Sequence, residues 1–456
     1  MRILYLAIYL FILAVPAKAQ DRISSGEVIT PSKERVCKRV YEMILPLRLP
    51  TFSAPVEWRV LPGREGMNRI SAIFPARGEE YDFIAIGQHR NTLRGDVEPA
   101  LLRYGYRRDG YSAWRKREEM ADLVAVEKAV ATDKGGVAAA TIDDDKARKA
   151  IKLIFMDNKG EIKDTHTIRD AERSLRVRDM IAAAGDKGGF YLLAQADFPD
   201  QAEREKTPDT DKPAKIGRLY RLDKNGKVTW QRGYSAGTNS RLNTIAHIRE
   251  NVYIVAGRSR RSGGGYAGWA LSLDARGAVR WQKSYPRGRG SMFETAHDAP
   301  GGRIVLTGRA RPNNADGQAG WVLYIDNEGL DLWQRFYTGA YNYKGIDLHV
   351  GEDGRIFAFF NATPAEDKGR QFVRVLGLNV YGYLLSDHAY IDGAHANMRG
   401  MLRIDNGRTL IFGAAQTGFV KPGASDAEIA NAYDAWLIAQ PAPKPYKSPC
   451  FKKNEQ

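Results

Sequence analysis

Three histidines recur at near-regular intervals: His247, His297 and His349, spaced 50 and 52 residues apart. Neutral imidazole is a ligand for zinc, copper or iron, so three that converged would make a metal site. No carboxylate keeps a fixed offset from all three, however, and a position repeated for packing or for a hydrogen bond between strands predicts the same spacing. A second group is cationic. Arg258, Arg260 and Arg261 lie in GRSRRSGGGYAG (257–268), and Arg309 and Arg311 in GRARPNNADGQAG (308–320). Guanidinium forks suit phosphate and carboxylate, and two such loops on one face would form an anion-binding patch. Ordinary solvated charge reads the same way. The segment Gly233-Tyr234-Ser235-Ala236-Gly237 matches G-x-S-x-G, but that motif works only at a strand-to-helix elbow over an α/β sheet. The sequence contains no H-E-x-x-H, phosphate-loop or dinucleotide fingerprint.

These groups sit on a repeat. GWALSLDARGAVRWQKSYPRG (268–288) spells a β-hairpin, and it returns 52 residues later as GWVLYIDNEGLDLWQRFYTG (320–339) and 51 residues earlier as GRLYRLDKNGKVTWQRGYSAG (217–237). In each, Asp274, Asp326 or Asp223 opens a turn, a glycine follows three residues on, and a tryptophan seven residues on. Asp at the first position and Gly at the fourth are what a type I turn asks for. Weaker copies begin at Asp157, Asn379 and Arg107. A second hairpin precedes each of these, giving seven four-strand units with a period near 50 residues. Small antiparallel sheets of this kind bury both faces only by packing around an axis, so the expected fold is all-β, a seven-bladed β-propeller. The first strands would then line a central channel carrying the histidines. All eight tryptophans fall on the repeat, Trp58, Trp114, Trp230, Trp281 and Trp333 on fourth strands and Trp269, Trp321 and Trp436 on third strands. Filling the gaps between blades accounts for them better than ligand stacking.

The ends divide from the ring. Residues 1–19 read as a signal peptide: Arg2, an apolar run from Ile3 to Val15, and Ala17-Lys18-Ala19 before the cut. The run is short for a membrane span, so no anchor is expected after cleavage, and the location expected is periplasmic or secreted. Residues 20–54 form a charged lead-in with a short helix expected over Ser32 to Leu45. The propeller is placed at 55–440, with a polar insertion at 198–217 and a basic, proline-rich tail at 441–456. PVEWRVLPG (55–63) is a fourth strand without a blade and AWLIAQ (435–440) a third strand without a successor, so the N-terminal strand should complete the last blade. The only cysteines, Cys37 and Cys450, flank that seam and are read as a disulfide across it, with two free thiols as the alternative. Net charge is +15, and +13 without Arg2 and Lys18, a balance that favours anionic partners and equally serves solubility.

The hairpin consensus, clearest in WALSLDARGAVRW and WVLYIDNEGLDLW, resembles bacterial secreted β-propeller repeats of the form W-L-I-K-L-D-x-x-G-N-x-x-W, and is distantly similar to quinoprotein-type propellers. The resemblance implies fold and extracytoplasmic location. The adjacent cysteine pair of quinone-dependent dehydrogenases is absent. The function expected is therefore a monomeric binding or scaffold protein that recognises an envelope protein or anionic polymer, with no specific nucleic acid and no tightly bound cofactor beyond the possible channel metal. The alternative is a quinone- or metal-dependent oxidoreductase, or a glycan-active hydrolase or lyase, working at the channel.

Overall fold

The computed structural model describes residues 40–446 except 50–53, 62–68, 77–80, 90–98, 145–147, 185–188, 199–213, 238, 263, 314–316, 366–369, 394, 405–406, 417–432 and 445. The described residues are all β. Seven antiparallel blades of four strands follow one another around a ring. Their inner strands are Arg69–Pro75, Leu123–Thr132, Ser174–Ala182, Ser240–Arg249, Ser291–Ala299, Tyr341–Val350 and His395–Arg403, numbered here as blades 1 to 7. Each core lies between the faces of adjacent blades. Trp269, Trp321 and Trp436 are wholly enclosed there, and Trp321 lies between Phe293 and Phe336 with ring centroids 4.5 and 6.3 Å away.

The repeated Asp-x-x-Gly and tryptophan are two halves of one latch between blades. The aspartate closes its own turn: Oδ1 of Asp274 accepts the amides of Arg276 and Ala278 at 2.8 Å, and Asp223, Asp326, Asp157 and Asn379 do the same in their blades. That turn delivers a glycine with positive φ, at Gly110, Gly160, Gly277, Gly329 and Gly382. Against each lies the outer-strand tryptophan of the preceding blade, Trp58, Trp114, Trp230, Trp281 and Trp333, so close that a Cβ would fall 2.2–3.0 Å from the ring. The indole N–H of Trp58, Trp281 and Trp333 donates to a carbonyl of the same turn, that of Arg108, Asn327 and Val380. Blade 2 has Asp164 at the tryptophan's register position, opposite Phe155. There Phe155 itself fills the space beside Gly226 of blade 3.

Closure of the ring follows the expected route. The N-terminal strand Trp58–Val60 pairs antiparallel with Tyr433–Gln440, the third strand of blade 7. Asp392 secures this seam by accepting the Trp436 indole N–H and pairing with Arg59 at 2.9 Å. The lead-in differs from expectation. Glu42–Pro46 is a strand rather than the end of a helix, and it pairs in parallel with Asp331–Thr338 as a fifth strand on blade 5. An outer strand has a row of unpaired backbone groups, and satisfying these outweighs the one-sided apolar spacing of the segment. Arg335, fully buried, fixes the arrangement: its guanidinium donates to the carbonyls of Val40 (3.0 Å), Gln334 (2.7 Å), Gly382 (3.1 Å) and Tyr381. Onward, Arg374 of blade 6 donates to the Arg48 carbonyl at 2.9 Å. Residues 32–39 of the expected helix, Cys37 among them, and Cys450 lie outside the described residues, as do most of the 198–217 insertion and of the tail.

All seven inner strands share a β-bulge at one level. The register skips Ser71, Glu127, Arg178, Asn243, Glu294, Ile346 and Arg399 in blades 1 to 7. A bulge adds one residue and re-aims its side chain, so the ring carries a girdle of seven such positions around the channel.

Candidate functional site at the mouth of the channel

Above the girdle the inner strands begin, and here the loops leaving the second and fourth strands of blade 4 meet the loop leaving the second strand of blade 5. The structure brings three of the five expected arginines together, Arg258, Arg309 and Arg311, and adds Arg289. They line a groove of about 360 Å3 with Tyr266 and Gln318, and no carboxylate is among its lining residues. The loops are knitted by backbone: Arg289 N–H donates to Arg311 O and Arg311 N–H to Gly290 O, both at 2.8 Å. Arg261 turns away, its guanidinium 3.4 Å from the Gly288 carbonyl, and Arg260 is exposed outside the groove.

The register explains why Arg258 and Arg309 are distinctive. They pair with Arg241 and Met292 at one place in the second strand. In blades 1, 2 and 6 that place holds Gln88, Thr141 and Asn361, each accepting a backbone N–H of the next blade's inner strand at 2.8–3.1 Å. In blade 3 Gln195 donates to the Ser240 carbonyl at 3.3 Å. Blades 4 and 5 put a cation where their neighbours put a blade-to-blade staple. Arg258 lies over the Tyr266 ring at 3.9 Å, with its Nε buried and lacking a hydrogen-bond partner. Arg309 reaches Gln318 Oε1 at 3.3 Å and stands 4.0 Å from Glu294.

Below the groove, the girdle and the residues beside it form the throat of the channel. Arg178 of blade 3 is drawn down to about 10 by burial and then by Arg241, with Arg176 adding to this and Glu127 and Asp197 opposing it. Burial also lowers Arg241, which feels Glu294, Arg258, Asp197 and Arg176. Lys344 of blade 6 is 3.6 Å from Glu294, the strongest single influence on it and one that raises its pKa. Burial and the fields of Arg309, Arg399 and Arg241 outweigh that partner and hold Lys344 below the usual lysine range. Deeper still, Lys128 of blade 2 pairs with Asp179 of blade 3 at 3.2 Å and is raised chiefly by it. Asp179 also accepts Thr244 Oγ1 and the Ile245 amide at 3.0 Å, and Asp347 of blade 6, pushed up by burial, accepts the amides of Leu348 (2.9 Å) and Met401 (3.2 Å).

The histidines lie beyond this waist and do not form a ligand set. His297 and His349 share a register position three residues past the bulge, but Ala246 holds it in blade 4 and His247 is one residue further on. Successive strand residues point to opposite faces, so the spacings of 50 and 52 mark two different positions. His247 is exposed beside Tyr253. For His297, burial works against protonation, but contacts from its Nδ1 to the Asp298 carboxylate (2.7 Å) and carbonyl (2.8 Å) prevail and raise its pKa. His349 stacks on Phe357 at 4.8 Å, and burial lowers it to about 4. Among the described residues no group of three or more His, Cys, Asp or Glu side chains is placed to hold a metal ion. His349 borders a second cavity of about 890 Å3 at the opposite end, whose charges pair internally, Arg108 with Asp82 and Arg355 with Asp353, each at 2.7 Å. Ser235 of the G-x-S-x-G segment lies where the outer strand of blade 3 leaves for blade 4, not at a strand-to-helix elbow.

Arg289 and the throat cations were not legible as a group in the sequence. They stand at unequal spacings: Arg178 and Arg399 are bulge residues, Arg241 and Lys344 lie two residues before the bulges of their strands, and Arg289 lies in the connection between blades.

No protein-family model matches the chain, and no curated protein matches its sequence. Among solved structures it is similar to the GH93 α-L-arabinofuranosidase of Fusarium graminearum in complex with arabinobiose (9% identity, TM-score 0.43, covering 86% of this chain and 96% of that one). It is also similar to puromycin hydrolase (13%, 0.45, 80% and 54%) and to the subtype N11 neuraminidase-like protein of A/flat-faced bat/Peru/033/2010 (11%, 0.44, 89% and 98%). At these scores the likenesses carry no argument about activity.

Proposed function

We propose that this seven-bladed propeller is a binding protein of the bacterial envelope or its exterior, and that it recognises an anionic polymer or an acidic partner protein through the mouth of the channel. The observation that carries this reading is the groove of Arg258, Arg289, Arg309 and Arg311, four cations from two adjacent blades with no lining carboxylate. Arginines held by stacking and by backbone knitting lose little freedom on binding, and their forks match carboxylate and phosphate oxygens. The leader-like residues 1–19 support placement outside the cytoplasm.

The test is calorimetric titration with an acidic polysaccharide, polygalacturonate, and with neutral dextran, between 50 and 300 mM salt. Polygalacturonate should bind with an affinity that falls steeply as salt rises, because screening weakens exposed charge pairs, while dextran should not bind. Replacing Arg258, Arg289 and Arg311 together by alanine should weaken binding at least tenfold. Equal binding of both polymers, or an unchanged affinity in the triple variant, would sink the assignment.

A further inference from the structure

The throat adjoins the groove, since Arg258 acts on Arg241 and Arg309 on Lys344, and its own charges do not balance. Among the groups that act on Arg178, Arg241 and Lys344, seven cations (Arg176, Arg178, Arg241, Arg258, Arg309, Lys344 and Arg399) face three carboxylates, Glu127, Asp197 and Glu294. The excess is four positive charges. Salt bridges do not absorb it: Glu294 is shared between Lys344 and Arg309, and Asp197 also stands 3.8 Å from Lys215. The Nε atoms of Arg178 and Arg258 are buried with no hydrogen-bond partner in the protein, donors left for a ligand or water to satisfy. Lys344 is held below its ordinary range although Glu294 is the strongest influence on it, because burial and then the fields of Arg309, Arg399 and Arg241 outweigh that carboxylate.

We propose that the throat binds a single tetrahedral oxyanion, a phosphate or sulfate group, held by Arg178, Arg241, Lys344 and Arg399. These four come from blades 3, 4, 6 and 7, so their donors approach the channel axis from several sides. That arrangement suits oxygens directed to the corners of a tetrahedron. A planar carboxylate is matched by one fork in one plane and would neutralise a single charge of the excess. Glu294 gives the site a second property, because a carboxylate can accept the proton of hydrogen phosphate and has nothing to accept from sulfate. The inference rests on the reading of the arginine-lined mouth as an anion site and adds that the ligand ends in such a group, presented end-on to the channel.

The experiment titrates the full chain with inorganic phosphate, sulfate and acetate at constant ionic strength by calorimetry. Phosphate or sulfate should bind at one site per chain, at least tenfold more tightly than acetate. Phosphate ahead of sulfate assigns the ligand to phosphate esters with Glu294 as proton acceptor, and sulfate at or above phosphate assigns it to sulfated ligands. Arg178→Gln and Arg399→Gln should each weaken the oxyanion tenfold or more. Arg399 is exposed in the channel, so its variant carries the test if Arg178→Gln fails to fold. Arg289→Ala with Arg311→Ala should weaken polygalacturonate more than inorganic oxyanion, and Arg399→Gln the reverse, which separates failure of the throat site from failure of the outer groove. Absence of phosphate and sulfate binding, parity with acetate, or indifference of both inner variants would overturn the proposal.

Discussion

Gly160→Ala tests the latch that repeats around the ring. Gly160 has φ +71° and belongs to the outer turn of blade 2, where an added Cβ would lie 2.2, 2.9 and 3.0 Å from three atoms of the Trp114 ring. The ring has no room to retreat, because on its other side the Cβ position of Gly105 is 2.3 Å from its Nε1. Two costs should add. An alanine at positive φ costs about 1 kcal/mol net of its smaller unfolded-state entropy, and overpacking against a confined ring costs about 1–3 kcal/mol. The sum is roughly 2–4 kcal/mol. Gly301→Ala supplies the control, since Gly301 has nearly the same φ (+77°) but nothing within 4 Å of the new Cβ, and it should cost only the first part. Equilibrium urea unfolding of both variants, and of each combined with Trp114→Leu, isolates the contact: Gly160→Ala should lose its excess over Gly301→Ala once the ring is gone. If the two alanine variants agree within 0.5 kcal/mol with Trp114 intact, the latch is not what fixes blade to blade.

Three further outcomes follow from buried and paired charge. His349 is lowered to about 4 by burial against an ordinary value of 6.5. Between those values the unfolded chain takes up a proton that the folded chain refuses, so stability falls as pH drops from 6.5 to 4, by roughly 3 kcal/mol for this group. His349→Phe should flatten that part of the stability–pH curve, and an unchanged slope would refute the assignment. Arg335→Lys replaces a fork that serves four carbonyls, and should cost at least about 2 kcal/mol. Hydrogen exchange should also speed up at Glu42–Pro46; equal protection would show that Arg335 does not hold that strand. Glu294→Gln removes the carboxylate that would accept the proton of hydrogen phosphate and should shift the throat's preference roughly fivefold to tenfold from phosphate toward sulfate, whereas an unchanged phosphate-to-sulfate ratio would show that Glu294 accepts no proton from the ligand.

The fold was legible because one motif encodes both members of each contact between blades. Asp274 builds its turn locally, Gly277 is the only residue type that fits that turn against Trp230, and Trp281 repeats the act on Gly329. The orphan strands at Trp58 and Trp436 were legible for a similar reason, since each lacked the partner that the other supplied. The functional surface was less so. Arg258 and Arg309 declared themselves by recurring at one repeat position, but Arg289 lies in the connection between blades, outside the hairpin pattern. The seven bulges leave no mark in composition, and without them Arg178, Arg241, Lys344 and Arg399 are unrelated cations. His247 came to look equivalent to His297 because a spacing of 50 is so near the period, but the bulges of their strands, at Asn243 and Glu294, are 51 residues apart, which leaves His247 one residue out of register. The strand at Glu42–Pro46 was missed because nothing local encodes it: its partner is about 290 residues away.

That separation bears on how the chain can be made. The N-terminal segment pairs with blade 5, touches blade 6 at Arg48 and completes blade 7 at Trp58. A ribosome therefore delivers first the strands whose partners it delivers last. Blades 1 to 4 can form in order, each latching to its predecessor, while the leading segment waits with its backbone unpaired. At roughly 5–20 residues per second that wait lasts tens of seconds, an interval in which a chaperone or the channel of an export machine would have a defined client, the bare segment around Tyr41 to Val60. Once in place, the same segment lies across three blades, and the ring can open at its seam only by peeling that band away.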